Sequence, residues 1–194
     1  QEIGGSCVEI VSNEQRILID AGLPLNLDAN VDGRSCMPSV PGLDGSDPSL
    51  LGLFLSHSHL DHSGLLPHLS QDIPVAMGPA ARSIMQAAAP FLPQKLPSPS
   101  SGWDYSSKET LSVGPFRVTP YLVDHSAYDA YAILVEADGK KLFYSGDFRF
   151  HGRKGSLVEK ITKNPPSDIN VLLLEGSSFG RLGSSAYYPS ENKI

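Results

Sequence analysis

The sequence has little of what marks several specialised classes of protein. Its 194 residues contain 2 cysteines, Cys7 and Cys36, without the CxxC spacing of a redox pair or a cysteine-rich metal site. A disulfide between them stays open, although two free thiols are the simpler interpretation. No apolar run approaches the roughly 20 residues that span a membrane, and the start, QEIGGSCVEI, lacks the layout of a secretion signal. We therefore expect a cytoplasmic protein without membrane association.

Positive charge is scarce as well. The chain has 15 Lys and Arg against 21 Asp and Glu, which gives a net charge of −6. This balance argues against a broad basic face that wraps nucleic acid, and it leaves only local clusters of Lys and Arg to bind phosphates. The glycines of EIGGS are not followed by GxGxxG or P-loop spacing, so they do not indicate a phosphate-binding loop.

Short apolar runs, bounded by Gly, Pro, Asn or Asp, predict strands. They are SCVEIVS, RILID, LGLFLS, PVAM, FRVTPYLV, YAILVEA, KLFYSG and NVLLLE. The spacing of apolar residues predicts a helix in GPAARSIMQAAAP and shorter helices in GLLPHLS and SLVEKITK. Stretches 23–49 and 90–102 are rich in Pro, Gly, Ser and Asp, which favours surface loops. The mixture predicts one layered α/β domain over residues 1–194.

Polar residues follow several of these predicted strands directly. They are Asp20, His57, His125, Asp147 and Glu175. Ligands of open α/β sheets gather beyond the carboxyl ends of the strands. We therefore expect these strand ends to share one pocket.

The stretch HSHLDH places four candidate metal ligands, His57, His59, Asp61 and His62, directly after an apolar strand. A chance cluster of polar loop residues is the alternative, but a loop has little structural use for three imidazoles. Imidazole and carboxylate ligands suit zinc first, and manganese or iron second. The crowding of ligands suits two adjacent cations better than one.

HSHLDH is also the HxHxDH signature of the metallo-β-lactamase superfamily, which this sequence resembles. ILIDAG, VDHSAYDAY and FYSGDFR resemble further motifs of that superfamily, in the same order. The resemblance implies an αββα sandwich in which His57, His59 and His125 bind the first metal ion. Asp61 and His62 would bind the second, Asp147 would bridge the two ions, and Asp20 would hydrogen-bond a ligand histidine. Asp129 is a further candidate for such a hydrogen bond, with a surface turn as the alternative.

EIGGSCVEI, GDFRFHGRK and VLLLEGSSFGR resemble the branch that includes ribonuclease J and the β-CASP nucleases. In that branch an acidic residue in the position of Glu175 precedes an inserted cap domain, and a last histidine completes the second metal site. Here the only histidine after Asp147 is His151. We interpret the chain as the N-terminal part of such a domain, without the cap, the final strands and that ligand. The alternative is a divergent member that uses His151 or a water molecule instead.

The resemblance implies hydrolysis by a hydroxide between two zinc ions, with Asp61, His62 and Asp147 as catalytic residues. Five residues near these motifs are candidate substrate contacts, with a solvated turn as the alternative: Ser126, Arg149, His151, Arg153 and Lys154. The leading function is a ribonuclease or phosphodiesterase whose partner is RNA or single-stranded nucleic acid. The alternatives are a hydrolase of thioesters, lactones or lactams, and a metal-binding scaffold without activity. A homodimer is one option for the assembly.

Overall fold

A computed structural model describes residues 4–28, 30–91, 102–176 and 190–191. In these ranges the strands are β1 (Val8–Ser12), β2 (Gln15–Ile19), β3 (Leu50–Phe54), β4 (Val75–Ala76), β5 (Leu111–Val113), β6 (Phe116–Val123), β7 (Ala130–Ala137), β8 (Lys140–Tyr144) and β9 (Val171–Leu173). The helices are α1 (Leu60–Ser63), α2 (Pro79–Ala88) and α3 (Gly155–Lys163), and short 3-10 turns cover Gly33–Cys36, Leu66–His68 and Ala89–Phe91. None of the described helices is long and apolar enough to cross a membrane.

The strands form two sheets. The first has the order β1-β2-β3-β4, in which β1 is antiparallel to β2 and the other two pairs are parallel. The second has the order β5-β6-β7-β8-β9 and is antiparallel except for the parallel pair of β8 with β9. In the first sheet Ile19 is in register with Phe54. The chain therefore leaves β2 and β3 at the same edge, which brings Asp20 close to the segment that follows β3.

The main core lies between the two sheets. Alternate residues of β2, Ile17 and Ile19, point into this layer together with Phe54 of β3, and all three are fully buried. Phe116 of β6 and Ile133 of β7 meet them from the second sheet and are also fully buried. The alternation of strand side chains thus explains why an interlayer core forms from these short runs.

The opposite faces of both sheets are covered as well. Leu18 and Leu53 of the first sheet pack under the segments that follow β3 and β4, with Met85 of α2 against the same cluster. On the second sheet, Val158 of α3 packs against the outer face near Val123. Helices therefore flank two stacked sheets, and the predicted αββα class is confirmed.

The predicted elements differ from the structure in a few places. β5 was not predicted, because its three residues are too few for a periodic pattern to stand out. GLLPHLS forms a 3-10 turn instead of a helix, since the chain is extended again at Leu69. Most of the predicted loop over 90–102 lies outside the described residues. Cys7 and Cys36 are both free, in agreement with the simpler interpretation.

Candidate metal centre

The predicted pocket lies where loops from both sheets meet. The first sheet contributes Asp20 after β2 and the segment His57–His62 after β3, and the second contributes His125 after β6 and Asp147 after β8. These side chains meet at one edge of the sandwich, as hydrogen bonds and ion pairs between them show. The candidate centre therefore draws its residues from both layers of the fold.

Three imidazoles form the first group of candidate ligands. One ring nitrogen from each of His57, His59 and His125 lies within 4.8 Å of the others. Nδ1 of His59 is 3.1 Å from Nε2 of His125, and the ring centroids of His57 and His125 are 4.7 Å apart at an interplanar angle of 75°. Nitrogen atoms at this spacing can bind one cation together.

A second group shares His57 and adds Asp61 and His62, again with ligand atoms within 4.8 Å of one another. Oδ2 of Asp61 is 3.8 Å from Nε2 of His62. Asp147 lies between the two groups, with Oδ1 3.4 Å from Nε2 of His62 and Oδ2 3.9 Å from Nε2 of His125. Its two carboxylate oxygens therefore face a histidine of each group.

One buried nitrogen of this centre, Nε2 of His57, lacks a hydrogen-bond partner among the described residues. His57 is 1% exposed, and its Nε2 has no hydrogen-bond partner in the described structure, whereas its Nδ1 is 3.0 Å from Oγ of Ser56. A buried polar atom without a partner costs about 1–3 kcal/mol. A cation at the centre of the imidazoles would satisfy this nitrogen, so the residues present fit a metal ion with nitrogen and oxygen ligands.

The buried carboxylate of Asp20 orients His62 from behind. Its Oδ2 is 2.7 Å from Nδ1 of His62 and accepts hydrogen bonds from the hydroxyls of Ser56 and Tyr144, each at 2.8 Å. Its Oδ1 accepts a further bond, at 2.7 Å, from the backbone N–H of Ser56. The interaction at Nδ1 leaves Nε2 of His62 directed at Asp61 and Asp147. Tyr144 and Ser56 escaped the sequence analysis, because no local pattern links them to Asp20.

Charge within the centre is unevenly distributed. Burial opposes protonation of His62, but the carboxylates of Asp147 and Asp20 outweigh it and raise the pKa of His62 to about 10. Burial and the neighbouring cationic His62 lower the pKa of His57 to about 2. Burial is also the main cause that lowers the pKa of His125 to about 4. His57 and His125 are therefore neutral, the form in which an imidazole nitrogen can bind a metal ion. His62 would have to release its Nε2 proton before that nitrogen could bind one.

Glu175, the predicted residue after the last strand, lies beside the loop that carries Asp147. Its Oε1 accepts a hydrogen bond of 2.8 Å from the backbone N–H of Phe148. Its own backbone N–H donates to the hydroxyl of Ser145 at 3.0 Å. Glu175 thus binds the backbone after Asp147 and the side chain of Ser145 before it, and it is not a member of either ligand group.

Of the five candidate substrate contacts, some bind other groups of the protein and some are exposed to solvent. Arg149 pairs with Glu191 at 2.9 Å, and the ammonium of Lys154 donates to the backbone oxygen of Tyr128 and lies 5.5 Å from the centre of its ring. Ser126 and Arg153 are exposed. His151 is half-buried and belongs to neither ligand group. Ser126 and Arg153 are therefore the most accessible of the five predicted contacts.

Asp129 has a role that neither sequence interpretation contained. Its Oδ2 accepts hydrogen bonds from the backbone N–H groups of Ala80 and Ala81, at 2.9 and 3.2 Å, in the first turn of α2. A Cβ at position 78 would overlap this carboxylate, so Gly78 allows the close approach. The prediction of an imidazole contact or a surface turn was wrong, because the partner of Asp129 is a helix start distant in sequence.

The two stacked sheets with flanking helices, and the cluster of histidines and aspartates beyond their strands, define a candidate metallohydrolase fold. The family model of the Metallo-beta-lactamase superfamily matches residues 2–186, and the chain belongs to that superfamily. The predicted likeness to the ribonuclease J branch is confirmed by the relatives that follow.

Ribonuclease J of Mycoplasma genitalium is 30% identical over 185 residues, which cover 92% of this chain and 32% of that protein. Transcription termination factor FttA of Methanothermobacter thermautotrophicus is 28% identical, over 100% of this chain and 32% of that protein. The chain thus spans about a third of the length of these relatives. A protein of unknown function from Enterococcus faecalis V583 has the same fold, with a TM-score of 0.77 and 22% identity over 98% of this chain and 50% of that one.

Proposed function

We propose that the chain is the metal-binding part of a hydrolase that cleaves phosphodiester bonds in RNA. The observation that carries this proposal is the pair of ligand groups, which share His57 and face the two oxygens of Asp147. A purely structural metal site is closed by its ligands, whereas a half-buried carboxylate such as Asp147 leaves an accessible side.

In this proposal His57, His59 and His125 would hold one cation, and Asp61 and His62 would hold a second. Asp147, whose oxygens face His62 and His125, would contribute from the side of the second sheet. Zinc is the first candidate because the ligands are imidazoles and carboxylates; manganese and iron accept the same ligands. When bound, such cations make coordinated water nucleophilic at neutral pH and polarise the scissile bond. His151 belongs to neither group, so among the described residues the second cation would have fewer ligands than the first.

The protein's own side chains would orient the attacking water molecule and the ligand His62. Asp61 is half-buried and lies next to His62, where its carboxylate can orient a water molecule for attack. Asp20 keeps His62 in one orientation through its bond to Nδ1. Both effects depend on positions fixed by the strand ends, so little rearrangement is needed when substrate binds.

RNA is the favoured substrate for two reasons. The similar curated proteins carry the names ribonuclease J, probable RNase and transcription termination factor. The exposed Arg153 and the neighbouring Lys154 follow Asp147 closely and form a local basic cluster on an otherwise acidic chain.

The test compares hydrolysis of an RNA oligonucleotide, a chromogenic phosphodiester and a thioester by the zinc-loaded protein. RNA and phosphodiester turnover that falls at least 100-fold in His59→Ala would support the proposal. His68→Gln is the matched control, since His68 is a histidine outside both ligand groups. Thioester cleavage with no RNA cleavage would instead favour a small-molecule hydrolase, and unchanged turnover in His59→Ala would exclude the metal mechanism.

A further inference from the structure

Asp124 is a buried carboxylate that the proposed metal centre does not use. It is 1% exposed and stands at the end of β6, directly before His125. Its Oδ2 lies 3.6 Å from Nε of Arg149, and its Oδ1 accepts a hydrogen bond of 3.4 Å from the backbone N–H of Lys154. A charge removed from water to this extent is costly unless nearby positive or polar groups compensate it.

Within the described residues, the partners of this carboxylate belong to one loop, which we call the 147–155 loop. Besides Arg149 and Lys154, the loop brings Gly152 so close that a Cβ at that position would overlap the carboxylate. The backbone N–H of Arg149 also donates to the backbone oxygen of Asp124, at 2.8 Å. The loop is therefore wrapped around one side chain, and glycine at 152 is required for steric reasons.

The position of this loop matters for the centre because Asp147 is its first residue. Glu175 holds it at one end through the N–H of Phe148. Asp124 holds the remainder, and it is joined covalently to His125. The distance between Nε2 of His125 and Oδ2 of Asp147, 3.9 Å, thus depends on how the 147–155 loop is seated against Asp124.

We propose that Asp124 is a positioning residue, which sets the spacing of His125 and Asp147 by fixing the 147–155 loop. This inference rests on the proposed metal-binding function. It assigns to Asp124 no contact with substrate or metal. Without the carboxylate, Arg149 loses a buried ionic partner and the loop loses the surface on which Gly152 rests. Displacement of a catalytic group by about 1 Å can cost about 100-fold in rate, so a shift of the 147–155 loop should be measurable at the centre.

The test measures zinc affinity by competition with a chromophoric chelator, together with thermal unfolding of the same variants. Asp124→Ala is expected to weaken zinc binding at least tenfold, and Asp124→Asn less, because its amide oxygen can still accept the bond from Lys154. Gly152→Ala disturbs the same contact from the other side and should weaken zinc binding as well.

Asp129→Asn is the matched control, because Asp129 is another buried carboxylate that accepts backbone hydrogen bonds, but these come from α2 and not from the loop. It should lower the unfolding temperature without changing zinc affinity. Equal zinc affinity in Asp124→Asn, Gly152→Ala and wild type would overturn the proposal, even if Asp124→Ala fails to fold. A wild-type protein that binds zinc but cleaves no substrate would refute the proposed function and leave this test valid.

In the active protein, the turnover number and KM for the chromogenic phosphodiester give a second readout. A shift in ligand spacing should lower the turnover number of Asp124→Asn about tenfold with little change in KM. A change confined to KM would contradict a positioning role, because it would place Asp124 in substrate binding.

Discussion

Oδ2 of Asp20 lies 2.7 Å from Nδ1 of His62, and both side chains are buried behind the candidate metal centre. The same carboxylate accepts hydrogen bonds from Ser56 and Tyr144. A single residue thus orients a candidate ligand and accepts the hydrogen bonds of residues at the ends of neighbouring strands. Four hydrogen-bond contacts from three residues therefore converge on this one carboxylate: two from Ser56, one from His62 and one from Tyr144. The relationship makes Asp20 the point at which fold stability and metal affinity are most tightly linked.

Substitution of Asp20 should therefore affect both properties. Asp20→Ala removes the buried acceptor that His62, Ser56 and Tyr144 share, and we expect a loss of about 3–5 kcal/mol in the free energy of unfolding. Urea denaturation of the metal-free protein measures this loss. A loss below 1 kcal/mol would show that the network is dispensable for folding.

Tyr144→Phe tests one branch of the same network. It removes only the hydroxyl that donates to Asp20, and we expect about 1–2 kcal/mol of destabilisation together with a small loss of zinc affinity. Tyr121→Phe, on the outer face of the second sheet, is the matched control and should leave zinc affinity unchanged. Equal zinc affinities in both variants and in wild type would argue that Tyr144 has no influence on the centre.

Removal of metal should lower thermal stability. If free zinc is present at about 100 times its dissociation constant, binding stabilises the folded protein by about 2.7 kcal/mol, which corresponds to about 5–10 °C for a chain of this size. Differential scanning fluorimetry with a chelator, and then with added zinc, measures the shift. His59→Ala should show a much smaller response to zinc; an undiminished one would place the bound ion elsewhere.

The exposed Arg153 offers a test of the RNA proposal. Arg153→Ala should raise KM for an RNA oligonucleotide a few-fold at low salt and reduce the slope of log affinity against log salt by about 1. The turnover number should change little. Arg117→Ala, an exposed arginine of β6, is the control. An unchanged salt slope in Arg153→Ala would remove Arg153 from the substrate contacts.

The fold and the centre were predictable from the sequence where the signal is local. Short apolar runs bounded by turn residues marked β2 and β6. His57, His59, Asp61 and His62 follow one another closely enough to be recognised together. We could also predict that these four residues meet Asp20, His125 and Asp147, because the residues that follow neighbouring strands tend to line one pocket.

What the sequence could not indicate were partners far apart along the chain. Tyr144 ends a strand with the pattern of a packing residue, yet its hydroxyl reaches Asp20. Asp129 looked like part of the histidine motif, yet it binds the start of α2. Such pairs depend on how the two sheets stack, and the spacing of residues in the sequence contains no direct information on that distance.

The candidate centre lies across the junction between the two sheets, with Asp20 and His57 on one and His125 and Asp147 on the other. Any sliding of one sheet over the other would change the distances between these groups. Ile17 and Phe116 lie deep in the interlayer core and belong to neither ligand group. Their packing keeps the two sheets, and with them the two halves of the candidate centre, aligned. A substitution that leaves a cavity at Ile17 or Phe116 should therefore weaken metal binding, although it lies in the hydrophobic core and not in the centre.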